Sequence, residues 1–116
     1  ENLNSNHIGS RVLELEKFEQ FLPTFDLVIN ATSAGSSNDL NSTPFDIDTL
    51  KTAKASCVIY DIIYDPLKTK LLLASENRGL KTINGLRMNL VQAVLAYKYT
   101  NSTNLSIEQI FEEMNS

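Results

Sequence analysis

Cysteine and histidine are nearly absent from this chain: Cys57 and His7 are the only ones among its 116 residues. A single cysteine cannot form a disulfide within the chain, so a reducing compartment, the cytoplasm, is the expected location. Cys57 lies in an apolar run, where a thiol is usually an inert core residue. His7 lies in a polar segment without other ligand residues, which indicates no metal site and no Ser-His-Asp hydrolase chemistry.

Basic residues and long apolar runs are also scarce. The chain has 10 Lys and Arg residues against 14 Asp and Glu residues, a net charge of −4 that leaves no cationic stripe for nucleic acid. The longest apolar runs are far too short to span a membrane, and no secretory signal pattern opens the sequence. The only glycines are Gly9, Gly35, Gly79 and Gly85, and no pair of them has the spacing of a dinucleotide-binding fingerprint.

The sequence does contain an alternation of strand and helix patterns. Residues 26–31 and 57–64 are nearly continuous apolar runs bounded by polar residues, which is typical of strands buried on both faces of a parallel sheet. Gly79 directly follows the predicted helix at residues 68–78, and a glycine at this position is typical of a left-handed helix cap. The other predicted elements are strands at residues 11–14 and 80–83 and helices at residues 14–22, 68–78 and 86–100. This alternation predicts an α/β fold, a parallel sheet flanked by helices.

The last helix has a clear boundary in the sequence. Ser106 as N-cap and Gln109 three residues later form the pattern of a capping box. Ile107, Ile110 and Phe111 then follow the spacing of an amphipathic helix. We expect this apolar stripe to pack against the sheet.

Polar residues follow three of the predicted strands at the point where each strand ends. Thr32 and Ser33 follow the first buried strand, Tyr64 ends the second, and Asn84 and Gly85 follow the third. Ligands of parallel sheets bind beyond the carboxyl ends of the strands. These three ends are therefore expected to converge on one crevice.

Two residue pairs near these ends favour a ligand with a flat ring beside a hydroxylated neighbour. Met88 and Gln92 are four apart on the predicted helix and share one side of it. Ile62 and Tyr64 are two apart on a strand and share one face. We expect Tyr64 and Gln92 to face a common cavity. The other apolar residues of the helix are expected on a different flank: Leu90, Val91, Val94 and Leu95.

Charged residues in this region have simpler interpretations. Asp61 lies inside a predicted buried strand, and we interpret it as an acceptor for nearby loop amides rather than as a general base. Lys68 and Lys70 are interpreted as solvated residues at the start of a helix. The acidic residues between positions 14 and 19 are interpreted as a solvated helix face.

Four stretches together carry a resemblance to a known family. They occur in order at residues 26–35, 60–69, 71–72 and 84–93. In this order and spacing they resemble the C-terminal portion of the shikimate dehydrogenases. The resemblance implies NADPH-dependent, reversible reduction of 3-dehydroshikimate to shikimate in chorismate and aromatic amino-acid biosynthesis. It also implies that the sheet is part of a Rossmann-type domain.

Carried over by position, the resemblance implies roles for seven residues. Tyr64 and Gln92 would contact the substrate, shikimate or 3-dehydroshikimate. The implied contacts to the NADP cofactor are Ile62, Gly85, Met88, Thr32 and Ser33. It implies no catalytic residue and no metal ligand within this chain.

The sequence also departs from the family pattern. Arg87 stands where the family usually has a second glycine. The family's glycine-rich phosphate loop, its basic motif for the 2′-phosphate and its catalytic lysine–aspartate pair all lie upstream of the matching region. Residues 1–116 are therefore expected to be an incomplete nucleotide-binding domain, without the N-terminal substrate domain, and inactive when isolated.

Two alternatives to a part of a shikimate dehydrogenase stay open from the sequence. The first is a non-catalytic module, namely a split-enzyme subunit or a degenerate remnant. Within the family, a relative that acts on quinate or uses NAD is the second alternative. The expected partners are the missing N-terminal half of the enzyme and, through an exposed sheet edge, a second copy of the chain.

Overall fold

A computed structural model describes residues 9–101 and 103–114, so His7 lies outside the described residues. Three parallel strands form one sheet in the order β1-β2-β3. They are β1 (Leu27–Asn30), β2 (Val58–Asp61) and β3 (Lys81–Ile83). With its flanking helices this sheet confirms the predicted α/β class. The register places Asn30 of β1 opposite Asp61 of β2, so two polar side chains meet at the carboxyl ends of neighbouring strands.

The segment before β1 differs from its prediction. Residues 11–14 form no strand, because no neighbouring strand in the described part of the chain pairs with them. The predicted helix at 14–22 is instead a short helix α1 (Phe18–Phe21) between two 3-10 turns, Leu15–Lys17 and Leu22–Thr24. Pro23 lies at the start of the second turn, where its missing N–H costs no helical hydrogen bond.

The connections between strands are helical. A 3-10 helix, Ile47–Thr52, links β1 to β2, and helix α2 (Lys70–Asn77) links β2 to β3. Thr69 caps α2 by accepting a hydrogen bond from the Leu72 amide at 3.3 Å. Gly79 has φ of 77°, a left-handed conformation that glycine adopts without strain, which confirms it as the cap.

The main cluster of buried hydrophobic residues lies on one face of the sheet. Its buried residues come from the strands, from α2 and from the 3-10 segments: Leu22, Val28, Leu50, Cys57, Ile59, Leu71, Leu72 and Leu80. On the other face Leu27 is 50% exposed and Ile29 is 53% exposed. The prediction that β1 is buried on both faces is therefore wrong, because α2 and the 3-10 helix both pack on the side of Val28.

Two helices follow the sheet: α3 (Leu86–Thr100) and α4 (Ile107–Met114). The capping box of α4 is confirmed, since the Ser106 amide donates to Gln109 at 2.8 Å and the Gln109 amide donates to the Ser106 hydroxyl at 3.1 Å. Helix α4 packs against α3 rather than against the sheet, which corrects the prediction. The Arg87 guanidinium lies 5.2 Å from the centre of the Phe111 ring and joins the two helices. In the described residues, no helix has the length and apolar character needed to cross a membrane.

Candidate ligand site at the carboxyl ends of the strands

A hollow of about 350 Å³ lies where β1 and β2 end, and we call it the strand-end hollow. Its lining residues come from two loops: Thr32, Ser36, Ser37, Ile62, Ile63, Tyr64 and Asp65. The Ser37 amide donates to the Asp65 carbonyl at 3.0 Å and ties the two loops together. Three of the predicted contacts, Thr32, Ile62 and Tyr64, are thus brought to one place.

A second hollow of about 440 Å³ lies beside helix α3, and we call it the helix groove. Its lining residues are mostly apolar: Tyr60, Ile83, Asn84, Arg87, Met88, Val91, Gln92 and Leu95. Val91 and Leu95 share this groove with Met88 and Gln92, so the prediction that they lie on a different flank is wrong. The spacing explains this, because positions 88, 91, 92 and 95 fall on one side of a helix.

Tyr64 and Gln92 line different hollows, the first the strand-end hollow and the second the helix groove. The described structure therefore does not place them in the common cavity that we expected. Sequence spacing relates residues within one element, whereas the placement of α3 beyond β2 depends on contacts between elements. The ligand roles implied for both residues stay predictions.

Gly85 lies between residues of the two hollows, since it follows Asn84 of the helix groove and contacts Ile62 and Ile63 of the strand-end hollow. Its amide donates to the Ile63 carbonyl at 3.0 Å, so the start of α3 is fixed against the end of β2. A Cβ placed on Gly85 would lie 1.7 Å from the carbonyl oxygen of Ile62. Only glycine permits this approach of two backbone segments. The residue before it, Asn84, accepts a hydrogen bond from the Leu86 amide at 3.1 Å and donates to the Leu67 carbonyl at 3.2 Å.

Asp61 is fully buried at the end of β2, and both oxygens of its carboxylate accept hydrogen bonds. One oxygen, Oδ1, accepts from the Ile63 amide at 3.1 Å and from the Asn30 side chain at 3.2 Å. The other, Oδ2, accepts from the Thr69 hydroxyl at 2.8 Å. The hydrogen bond from the Ile63 amide confirms the interpretation of Asp61 as an acceptor for loop amides.

Asn30 extends this network into the loop after β1. Its side-chain oxygen accepts from the Thr32 amide at 3.0 Å and from the Thr32 hydroxyl at 2.7 Å. Its side-chain nitrogen also donates to the Ala34 carbonyl at 3.2 Å. The buried network of Asn30, Asp61 and Thr69 therefore connects helix α2 to both loops of the strand-end hollow.

Sequence reasoning missed Asn30, Thr69, Ser36 and Ser37 as parts of this site. Asn30 and Asp61 each end an apolar run, and two polar residues at equivalent strand ends were the available signal. Ser33, a predicted cofactor contact, is not among the residues that line the strand-end hollow, and its carbonyl accepts from the Ser36 amide at 3.1 Å. Its ligand role stays a prediction.

The charges near the site are few. No Lys or Arg lines the strand-end hollow, while Arg87 lines the helix groove and stacks on Phe111. The described residues contain no group of three or more metal-ligating side chains that could hold an ion. Asp65, which lines the strand-end hollow, is acidic, so this hollow fits an uncharged ring with hydrogen-bonding substituents better than a phosphate chain.

Two groups away from the hollows have shifted pKa values. Burial raises the pKa of the Cys57 thiol, and Asp26 adds to the effect against the opposing influence of Lys54. A neutral, fully buried thiol agrees with its interpretation as a core residue. Hydrogen bonds from Lys68 and then Thr82 lower the pKa of Glu76. The Lys68 ammonium lies 3.2 Å from Glu76 Oε2, so Lys68 is paired and not merely solvated.

Comparison with known proteins finds relatives that are named shikimate dehydrogenase. No protein-family model matches the chain. A shikimate dehydrogenase (NADP⁺) of Bacillus licheniformis is 42% identical over 89 residues, which cover 77% of this chain and 31% of the relative. Among solved structures, the shikimate 5-dehydrogenase of Thermus thermophilus, in complex with NADP(H) and shikimate, has a TM-score of 0.66 at 27% identity. That match covers 90% of this chain and 37% of the other.

A third similarity extends over nearly the whole chain. The quinate dehydrogenase of Corynebacterium glutamicum, in complex with NAD, has a TM-score of 0.75 over 98% of this chain and 39% of the other. At 24% identity it shows the fold alone. This chain thus spans about a third of the length of its relatives. Over that third, sequence and fold confirm that it is similar to the shikimate dehydrogenases and carries part of their Rossmann-type sheet.

Proposed function

We propose that this chain is the C-terminal part of the nucleotide-binding domain of an NADP-dependent shikimate dehydrogenase. The assembled enzyme would interconvert 3-dehydroshikimate and shikimate, and the part of the enzyme upstream of the matching region would supply the phosphate-binding loop and the catalytic pair. The observation that carries the proposal is 42% identity over 89 residues with a shikimate dehydrogenase (NADP⁺). The cytoplasmic location expected from the single cysteine is part of the same proposal.

The residues of this chain would position the reactants rather than perform the chemistry. NADPH, when bound, supplies the hydride. Ile62 and Met88 would give the nicotinamide ring an apolar bed, and Gly85 would keep the backbone close beside it. Thr32 and Ser33 would hold polar groups of the cofactor at the end of β1.

The substrate contacts would come from two elements. The Tyr64 phenol, 47% exposed, would hydrogen-bond the substrate from the strand-end hollow. The Gln92 amide would reach it from the helix groove. Because the two side chains line separate hollows, the substrate would lie across the segment at Gly85 that separates them, against the upstream part of the enzyme. Correct placement of this kind contributes a large part of enzymatic rate enhancement.

Reconstitution tests the proposal. The chain is mixed with the N-terminal two thirds of the Bacillus licheniformis relative, and oxidation of NADPH by 3-dehydroshikimate is followed. We expect the chain alone to be inactive and the mixture to be active. We expect Tyr64→Phe to raise the KM for 3-dehydroshikimate by about tenfold, the effect of one lost hydrogen bond. Tyr99→Phe is the matched control, since Tyr99 is 89% exposed and lines neither hollow.

The other outcomes decide between the alternatives. A mixture that associates but shows no turnover with either NADPH or NADH would support the non-catalytic module. Turnover of quinate with NAD, in place of shikimate with NADP, would support the other relative. Turnover by the isolated chain would overturn the assignment of catalysis to the upstream part of the enzyme.

A further inference from the structure

Thr32 has a fixed hydrogen-bond polarity, and this constrains what the strand-end hollow can bind. A threonine hydroxyl has one hydrogen to donate and two lone pairs that accept. A solvated hydroxyl rotates and serves ligands of either kind. At Thr32 the surrounding backbone and the Asn30 side chain remove that freedom.

The orientation of the Asn30 side chain follows from its four contacts. Its nitrogen lies 3.2 Å from the Ala34 carbonyl and 3.2 Å from Asp61 Oδ1, and both of these are acceptors. Its oxygen lies 3.0 Å from the Thr32 amide, which can only donate. A flipped Asn30 would face acceptors with its oxygen and a donor with its nitrogen, so one orientation alone satisfies the network.

The Thr32 hydroxyl must then donate to Asn30, since Oγ1 lies 2.7 Å from the Asn30 side-chain oxygen. The Ala34 amide, a donor, approaches the same hydroxyl at 3.2 Å and takes one lone pair. One lone pair is left. Because Thr32 is exposed and lines the strand-end hollow, that lone pair is available to a ligand.

Asp61 and Thr69 hold this arrangement from within. The buried carboxylate keeps the Asn30 nitrogen facing it, and the Thr69 hydroxyl at 2.8 Å occupies the second carboxylate oxygen. All three side chains are nearly or fully buried, with 3% exposure at Asn30 and 0% at Asp61 and Thr69. Reversing the network would leave buried polar atoms without partners, which is costly.

We propose that the Thr32 hydroxyl, whose hydrogen is donated to Asn30, acts toward a ligand only as a hydrogen-bond acceptor, so that the strand-end hollow selects a ligand group that donates an N–H or O–H and rejects a carboxylate or phosphate oxygen. This inference rests on the proposed function and names the recognised chemistry. At the nicotinamide end of a dinucleotide two groups have it, the carboxamide and the ribose hydroxyls beside it. A carboxylate oxygen in the same place would face the Thr32 lone pair with no hydrogen between them, so no hydrogen bond could form.

Dinucleotide binding to the reconstituted assembly tests this inference by calorimetry. The probes are NADP⁺, its nicotinic-acid analogue, and the analogue without the nicotinamide-ribose 2′-hydroxyl. We expect the wild type to bind one analogue about tenfold more weakly than NADP⁺, and that analogue identifies the donating group. We expect Thr32→Val to remove the difference and Thr32→Ser to keep it. Thr43→Val should match the wild type, because it removes a loop hydroxyl outside the hollow that donates to the Phe45 carbonyl.

The comparison of ligands across variants separates recognition from a structural effect. If Thr32→Val weakens all three dinucleotides by one factor, or if the wild type binds all three equally, the inference is overturned. Turnover of 3-dehydroshikimate in the same assembly distinguishes the two proposals. If the assembly turns over 3-dehydroshikimate but binds the three dinucleotides equally, only this inference is overturned. If it distinguishes the dinucleotides but shows no turnover, only the proposed function is overturned. If it binds none of the three probes, both are overturned.

A measurement on the chain alone tests the polarity itself. The deuterium isotope shift on the Thr32 Cβ resonance reports how fast the hydroxyl proton exchanges. The proton of a hydroxyl that donates a hydrogen bond exchanges slowly, so we expect a resolved isotope shift for the wild type. We expect a smaller shift for Asp61→Asn, because this variant loses the carboxylate that holds the Asn30 side chain in place. Free exchange at Thr32 in the wild type would overturn the inference whatever the dinucleotides do.

Discussion

Gly85 lies directly against Ile62, so closely that a Cβ on the glycine would be 1.7 Å from the Ile62 carbonyl oxygen. The backbone of Gly85 has φ of −84°, which any residue adopts, so the constraint there is space and not conformation. At Gly79 the reverse holds, with φ of 77° and nothing within 4 Å of the added Cβ. Substitutions at the two glycines therefore measure separate costs, the steric cost of an added Cβ at Gly85 and the cost of a left-handed backbone at Gly79.

Gly85→Ala is expected to destabilise the chain by about 3 kcal/mol, because a backbone carbonyl cannot move aside as a side chain can. Gly79→Ala should cost only about 1 kcal/mol, the penalty of a left-handed alanine. Urea unfolding followed by circular dichroism measures both. Equal costs for the two variants would contradict the close approach at Gly85.

Thr69→Val is expected to cost about 2 kcal/mol, since it removes a hydrogen bond to the buried Asp61 carboxylate together with the cap of α2. The matched control is Ser75→Ala, which removes a fully buried hydroxyl from the same helix outside the network. It should cost about 1 kcal/mol. Thr69→Ser keeps both contacts and should recover most of the stability.

The same pair of variants also has a local readout. In Thr69→Val the amide resonances of Ile63 and Thr32 should shift, because both amides depend on the hydrogen bonds of Asp61 and Asn30. In Ser75→Ala they should not. Unchanged resonances in Thr69→Val would show that the loops are held independently of α2.

The exposed face and free edge of β1 predict self-association of the isolated chain. Leu27 and Ile29 are half-exposed on a strand that pairs on one side only within the described residues. We expect a mass above that of a monomer by light scattering, rising with concentration. Ile29→Lys should shift the chain toward the monomer, whereas Leu67→Lys, at a residue 51% exposed elsewhere, should not. A strictly monomeric wild type at high concentration would contradict the prediction.

Local patterns in the sequence predicted local structure well. The bounds of α3, the left-handed Gly79 and the capping box of Ser106 and Gln109 depend on residues within one or two helical turns of each other. The parallel sheet followed from apolar runs separated by helices. These features need no knowledge of which elements touch.

Features that depend on contacts between elements were predicted less well. The apolar run in β1 correctly indicated a strand, yet within the described residues this strand is covered at Val28 and exposed at Leu27 and Ile29. The placement of α4 on α3, and of Gln92 away from Tyr64, likewise depends on packing between helices and sheet. The pairing of Asn30 with Asp61 required the strand register, which a single sequence does not specify here.

Glu76 predicts a pH-dependent term in stability. Its pKa is lowered by hydrogen bonds from Lys68 and then Thr82, so the folded chain favours the ionised carboxylate. That contribution is present above the ordinary glutamate pKa of about 4.3 and is lost as the pH falls through the lower folded value. Wild type should therefore be more stable than Glu76→Gln near neutral pH, and the difference should shrink in acid.

Urea midpoints of the two proteins across this pH range measure the effect. Because the pair is partly solvated, added salt should also reduce the difference at neutral pH. Glu112→Gln, an exposed glutamate on α4, is the matched control and should track the wild type throughout. A difference between wild type and Glu76→Gln that stays constant from neutral pH into acid would show that the ionised Lys68 pair does not stabilise the fold.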